Sequence, residues 1–142
     1  MTNQSGFTAK PFSQRIEKPW GFEILYTQKD LSFIGKIAFT KAGNRWSFQY
    51  HDKKEENICL ISGEAEIWIE NKEGGIEKIK MEPLSGYQVK PFQKHRFCAV
   101  TDCWSVESST PEIGETVRLE DDYKRDTETE EIRLTPNRGW EK

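Results

Sequence analysis

Gly43-Asn-Arg-Trp-Ser-Phe-Gln49-Tyr-His51-Asp-Lys-Lys-Glu55-Glu56-Asn-Ile-Cys-Leu-Ile-Ser-Gly63 is the stretch whose reading decides the fold. Up to the histidine it alternates without a break. Arg45, Ser47, Gln49 and His51 fall on one face of a strand, and Trp46, Phe48 and Tyr50 on the other. A polar face of that composition, backed by three aromatics, points to a site built inside a β-structure. Downstream, His95 opens a second apolar, strand-like run, HRFCAV, after the proline-containing turn Lys90-Pro91-Phe92-Gln93-Lys94.

Outward from this stretch the same texture continues. Pro19-Trp20-Gly21 is a turn, with proline fixing φ and glycine free to take a positive one. Phe22–Gln28 and Leu31–Thr40 read as strands, the second with Phe33, Gly35, Ile37 and Phe39 on one side. Glu56–Ile61 follows the charged turn at 52–54. Glu64–Glu70 places Ala65, Ile67 and Ile69 inward and Trp68 outward. Asn71–Gly75 is a glycine-rich hairpin turn. Ile76–Met81, Tyr87–Lys90, His95–Thr101 and Trp104–Ser108 complete the series. Roughly seven to ten short strands with no amphipathic helix between them predict an all-β sandwich or barrel. Residues 1–14 read as an N-terminal arm bearing Phe7 and Phe12, residues 15–126 as the barrel, and residues 127–142 as a loose polar C-terminal tail with at most one helical turn.

Composition narrows the function. The chain has 142 residues, the length of one domain, with 35% hydrophobic and 32% charged residues. A net charge of −3 gives no basic face for nucleic acid. No apolar run spans a bilayer, and the N-terminus lacks the apolar core of a signal peptide. Cys59, Cys98 and Cys103 have no zinc-like spacing and read as reduced thiols in a cytoplasm. Cys59 alternates with the inward set, as packing or interface, and the other two read as small fillers.

His51 and Glu56 by themselves read as an exposed hairpin tip beside the solvated run Asp52–Glu56. With His95 they become a possible divalent-metal site, imidazole and carboxylate being suitable ligands, and Gln49 pointing the same way as His51. Arg45, on the His51 face, offers a planar fork suited to phosphate oxygens. Lys90, Lys94 and Arg96 flank His95, with Lys90 and Arg96 reading as solvated surface. Ser47 either hydrogen-bonds a ligand hydroxyl or fills the barrel.

The pattern Gly43-x5-Gln49-x-His51-x4-Glu56-x6-Gly63 resembles the first motif of the cupin superfamily, and Lys90–His95 resembles the second. Within cupins the chain is most similar to the small domain of type II mannose-6-phosphate isomerases. Glu17-Lys-Pro-Trp-Gly21, Ala42–His51 and Val117-Arg-Leu-Glu-Asp-Asp-Tyr123 carry that likeness. Gln49 stands where cupins usually have a first histidine, as it does in the isomerase-like branch. Lys90 and Phe92 replace the usual proline and glycine of the second motif.

The resemblance implies a single-domain jelly-roll (double-stranded β-helix) barrel with little helix. It implies one divalent ion (Zn, Mn, Fe, Ni or Co) held by Gln49, His51, Glu56 and His95. The activity it implies is aldose–ketose isomerisation of a sugar phosphate or nucleotide sugar. Arg45 and Lys94 would serve the anionic substrate, joined by Ser47 and Tyr87, and Glu56, Tyr87 or a bound water would carry the proton. The alternatives are a non-catalytic small-ligand sensor and a metal-dependent dioxygenase. A homodimer is expected, with the aromatic arm, Trp46 and Trp68 as its surface.

Overall fold

The computed structural model describes residues 6–140, so the first five residues of the expected arm and the last two of the tail lie outside the described residues. The described residues form eleven strands: β1 Gln14–Lys18, β2 Gly21–Leu25, β3 Ile34–Thr40, β4 Phe48–His51, β5 Glu56–Ser62, β6 Ala65–Glu70, β7 Ile76–Lys80, β8 Gly86–Val89, β9 His95–Ala99, β10 Cys103–Ser109 and β11 Thr116–Glu120. One helical turn, α1 Glu130–Arg133, and a 3-10 turn, Pro136–Gly139, follow.

All pairings are antiparallel. One sheet has the order β1-β2-β3-β10-β5-β8 and the other β11-β4-β9-β6-β7. They face each other over one core, the arrangement of a single-domain jelly roll. Ile58, Leu60, Ile67, Val89 and Phe97 are fully buried between the sheets. Trp46 stacks on Phe97 at 4.8 Å and on Trp20 at 5.3 Å. Two glycines fix the corners by contact. A Cβ on Gly21 would sit 2.0 Å from the Phe39 carbonyl oxygen, and one on Gly63 would sit 2.2 Å from that of Asp102.

Several expectations change. The strand of the opening stretch starts at Phe48 rather than Arg45, although Trp46 N still donates to Phe97 O at 2.9 Å. Both Trp46 and Ser47 are buried, so the strict alternation stops there and Trp46 is core rather than partner surface. The structure decides which face of β3 is inside. Ile34, Lys36, Ala38 and Thr40 point inward, while Ile37 and Phe39 lie on the outer side. A period of two separates two faces without saying which is inside, and here both carry apolar residues. The outer face assembles Phe22, Phe39 and Trp104, with ring centroids 5.0–5.7 Å apart. Cys59 likewise faces outward between buried Ile58 and Leu60.

Two strands at the ends, β1 and β11, were not expected as such. Nor is the chain beyond residue 126 loose. Glu128 is buried, Glu128 and Thr116 exchange backbone hydrogen bonds at 2.9 and 3.0 Å, and Asn137 accepts from the Glu17 N–H at 2.9 Å. The segment is tied back by ion pairs that cross to the barrel: Arg138 reaches Glu112, just before β11, at 2.7 Å, and Arg118 of β11 lies 3.7 Å from Glu128. Glu128 is held by Arg138 at 3.2 Å and Arg133 at 3.5 Å.

Candidate metal centre

β4 and β9 are neighbours, and their register sets Gln49 opposite His95. His51 ends β4, the chain turns through residues 52–55, and Glu56 opens β5. The turn therefore delivers a carboxylate across from an imidazole, and β9 supplies the second imidazole from the adjacent strand. His51, Glu56 and His95 are all buried, and their donor atoms lie within 4.8 Å of one another. His51 Nε2 is 3.1 Å from Glu56 Oε2, and His95 Nε2 is 2.9 Å from the same oxygen.

The imidazole orientations are set from behind. His95 Nδ1 donates to the Gln93 carbonyl oxygen at 2.9 Å, which leaves a lone pair on Nε2 of the neutral ring. His51 Nδ1 lies 2.9 Å from Thr116 Oγ1, so a donated Nδ1–H likewise frees its Nε2. His95 Nε2, despite its short approach to Glu56, is off the direction of a hydrogen bond and is buried without a partner. Two imidazole lone pairs and a carboxylate oxygen thus converge in a dry place with too few protons among them. A divalent cation satisfies all three at once, and imidazole-plus-carboxylate is a ligand set that such ions take. His51, Glu56 and His95 could hold one metal ion.

Charge around the cluster agrees. Burial, reinforced by Lys54, pulls the His51 pKa down to about 4, which keeps the ring neutral and available as a ligand at pH 7. Burial pushes Glu56 upward, but the Lys54 ammonium beside it holds the carboxyl well below its ordinary range. Lys54 Nζ is 3.2 Å from Glu56 Oε1, so the lysine takes one carboxylate oxygen and leaves Oε2 for the histidines.

Beside the cluster is a cavity of about 40 Å³, room for a few water-sized groups. Its walls include Gln49, His51 and Glu56 and, unexpectedly for a barrel interior, a checkerboard of buried lysines and glutamates. Lys54 Nζ lies 2.8 Å from Glu107 Oε2 and Lys36 Nζ donates to Glu112 Oε2 at 2.8 Å. Arg138 donates to both oxygens of Glu112, at 2.7 and 2.8 Å. Burial, with Glu56 adding to it, pushes the Glu107 pKa up to about 7. Burial also lowers the Lys18 amine to about 8.

The remaining sequence candidates separate clearly. Ser47 is buried and donates to Gln49 Oε1 at 2.5 Å. That bond turns the Gln49 amide nitrogen toward His51 Nε2, 3.5 Å away, so the amide must flip to present oxygen to an ion. Arg45 is spent on Asp122, with bonds of 2.7 and 2.9 Å, and does not line the cavity. Lys94 is half-buried and also lies outside the lining; its backbone N–H donates to Glu70. The Tyr87 hydroxyl accepts from the Glu82 N–H at 2.8 Å, away from the cluster.

The ionic residues of the cavity were missed because each looked like a solvated charge. A signal was present: Lys36 interrupts the apolar run Ile34–Phe39, and Glu23 sits between Phe22 and Ile24.

No family model matches the sequence, and no curated protein matches it at sequence level. Solved structures do share the fold. Oxalate decarboxylase from Bacillus subtilis superposes with a TM-score of 0.67 at 15% identity, over 80% of this chain and 32% of that one. The capsular polysaccharide assembling protein CapF from Staphylococcus aureus gives 0.62 at 14% identity, over 88% and 33%. KdgF from Halomonas sp. gives 0.59 at 14%, over 70% and 87%. The chain thus spans about a third of CapF and of oxalate decarboxylase, but most of KdgF. At these identities the likeness establishes the jelly-roll fold.

Proposed function

We propose that the chain is a metal-dependent cupin acting on a sugar phosphate or nucleotide sugar, with aldose–ketose isomerisation of the mannose-6-phosphate type as its reaction. The observation that carries the metal is the orphaned, buried Nε2 of His95 beside His51 and Glu56. Mn(II) centres in the similarly folded oxalate decarboxylase, and the capsular polysaccharide context of CapF, support a divalent ion and a carbohydrate substrate. The isomerase assignment rests on the motif resemblance.

His51, Glu56 and His95 would hold the ion, with Gln49 joining after an amide flip. When bound, it supplies Lewis acidity toward the substrate carbonyl oxygen. Glu56 is poorly placed as the base, since Lys54 holds its charge and its other oxygen would serve the ion. Glu107 is better suited: it lines the same cavity, and a carboxyl titrating near 7 can take a proton and return it at neutral pH. Lys54, between Glu107 and Glu56, keeps the two carboxylates apart. The positions outside the lining leave Arg45, Lys94 and Tyr87 without a role on the reacting carbons.

The test is metal analysis together with turnover. Protein as purified is expected to hold one equivalent of divalent metal and to interconvert mannose 6-phosphate with its ketose. A double His51→Ala/His95→Ala variant is expected to lose both. Metal-free wild type with full turnover sinks the reading. A non-catalytic small-ligand sensor is the second reading, favoured by a cavity of only about 40 Å³. Saturable binding without product supports it, while oxygen consumption would instead mark a dioxygenase.

We place two copies together through the outer face of β2, β3 and β10, where Phe22, Phe39 and Trp104 form an aromatic patch and Trp104 is 39% exposed. Light scattering is expected to give twice the 16.6 kDa chain mass, and Trp104→Glu to halve it. Three free cysteines fit a reducing compartment such as the cytoplasm. Among the described residues no helix is long and apolar enough to cross a membrane.

A further inference from the structure

The C-terminal segment carries a second concavity, which the reading above leaves unused. A cleft of about 530 Å³ is walled by Tyr123, Lys124 and Trp140, with Arg118, Arg125 and Arg138 at its base. Small-molecule sites typically measure ~300–1,000 Å³. Arg118, Arg125 and Arg138 are each paired with a carboxylate, Glu128, Asp121 and Glu112, which leaves Lys124 as the lining cation without one among the described residues. The three arginines also line the cavity at His51 and Glu56, so the cleft and the metal cavity share a wall.

Three features of the cleft point to a ligand rather than to packing. First, two donors on its wall have no acceptor. Arg118 Nε and Trp140 Nε1 are buried without a hydrogen-bond partner, and the Arg118 side chain is 7% exposed. The rest of that guanidinium is anchored, with Nη1 donating to the Asp126 carbonyl oxygen at 2.6 Å and Nη2 3.7 Å from Glu128. Buried donors in native proteins nearly always find a partner.

Second, Lys124 (φ 56) and Arg138 (φ 54) are both in the left-handed region. A Cβ disfavours that region, and such residues concentrate at functional sites. Lys124 is exposed and has no ion-pair partner among the described residues. Third, the Tyr123 and Trp140 rings meet edge-on at 6.4 Å, giving an angled aromatic corner beside the charges.

We infer that this cleft is the subsite for the phosphoryl group of a phosphorylated sugar, with Lys124, Arg118 and the Trp140 indole N–H as its contacts. A phosphate offers acceptor oxygens in several directions, which suits donors spread over three sides of a cleft better than one flat carboxylate does. The sugar then lies against the Tyr123–Trp140 corner, on the cleft side of the shared arginine wall. The two donors are shielded from bulk solvent, where a bond to an anion is least screened. The identity of the ester rests on the sugar-phosphate reading above; the preference for an oxyanion rests on the cleft alone.

The experiment titrates inorganic phosphate, mannose 6-phosphate and mannose into the full-length protein by calorimetry, with tryptophan fluorescence in parallel, before and after chelation of metal. Both anions are expected to bind and mannose is not, and chelation leaves phosphate binding unchanged. Loss of a hydrogen bond to a charged group weakens binding by ~10-fold or more, the effect expected for Arg118→Met and Trp140→Phe. Lys124→Ala, at an exposed position where folding is not at stake, is expected to weaken it by ~3-fold.

Unchanged affinity in Lys124→Ala and Trp140→Phe overturns the inference. So does phosphate binding that vanishes with the metal, which would put the anion on the ion. Mannose 6-phosphate bound but not isomerised leaves the subsite standing and removes the isomerase reading. Turnover at unchanged KM in every variant does the reverse.

Discussion

The interior of this barrel has two unlike ends. At one, Trp20, Trp46, Ile58, Leu60, Ile67 and Phe97 pack with aromatic stacking and almost no exposure. At the other, Lys36, Lys54, Glu56, Glu107 and Glu128 are buried as well, around a void that Trp20 and Trp46 close on the apolar side. The first end is what burial of apolar area produces, and it is where the stability of the fold resides. The second gains little from being ionic, because desolvating charges consumes most of what their attraction returns. A fold that keeps such an end has another use for it, and the candidate metal ligands sit at its edge.

The contrast can be broken from either side. The largest effect is expected at the apolar end. Phe97→Ala removes a fully buried ring stacked on Trp46 and should cost about 3–5 kcal/mol in denaturant unfolding, whether or not metal is present. A cost below about 1 kcal/mol would mean the apolar end does not carry the fold.

The ionic end should respond in metal affinity. Lys54→Met frees Glu56 Oε1 and leaves Glu107 without its cation. The loss of a group that orients a ligand is expected to weaken metal binding ~10–100-fold in chelator competition. Unchanged affinity would show that the histidines orient Glu56 unaided.

The smallest effect is a pH dependence. Glu107 has its pKa raised in the folded state, to about 7, by burial and by the neighbouring Glu56 charge. Its proton is therefore bound more tightly folded than unfolded, and wild-type stability falls as pH rises from the ordinary carboxylate value through about 7. Glu107→Gln cannot ionise and escapes that loss. The Tm difference should move in favour of the variant by several degrees between roughly pH 5 and pH 8. A difference constant over that range would show that Glu107 is ionised throughout.

Much of the fold was legible in the sequence because a strand buried on one face writes a period of two. Glu64–Glu70 was read with the correct side inward, since Ala65, Ile67 and Ile69 had no apolar rivals opposite except Trp68. In β3 the alternation leaves the inner face open, because Ile37 and Phe39 rival Ile34 and Ala38, and the aromatic patch with Phe22 and Trp104 exists only after pairing. The gathering of His51 and Glu56 with His95 was suggested by motif spacing. Arg45 looked like a phosphate ligand from its face on the strand, but Asp122 answers it from a distant part of the chain.

The sequence by itself determined the strand-and-turn rhythm, the all-β class and the residues able to bind a metal. These follow from local periodicity and side-chain chemistry. Only the tertiary structure decided which face of β3 is inside, which lysines and glutamates pair in the dark, and that the acidic C-terminal segment closes onto the barrel. Those outcomes depend on contacts between residues far apart in the chain, where a charge is solvated or buried according to the partner that folding brings to it.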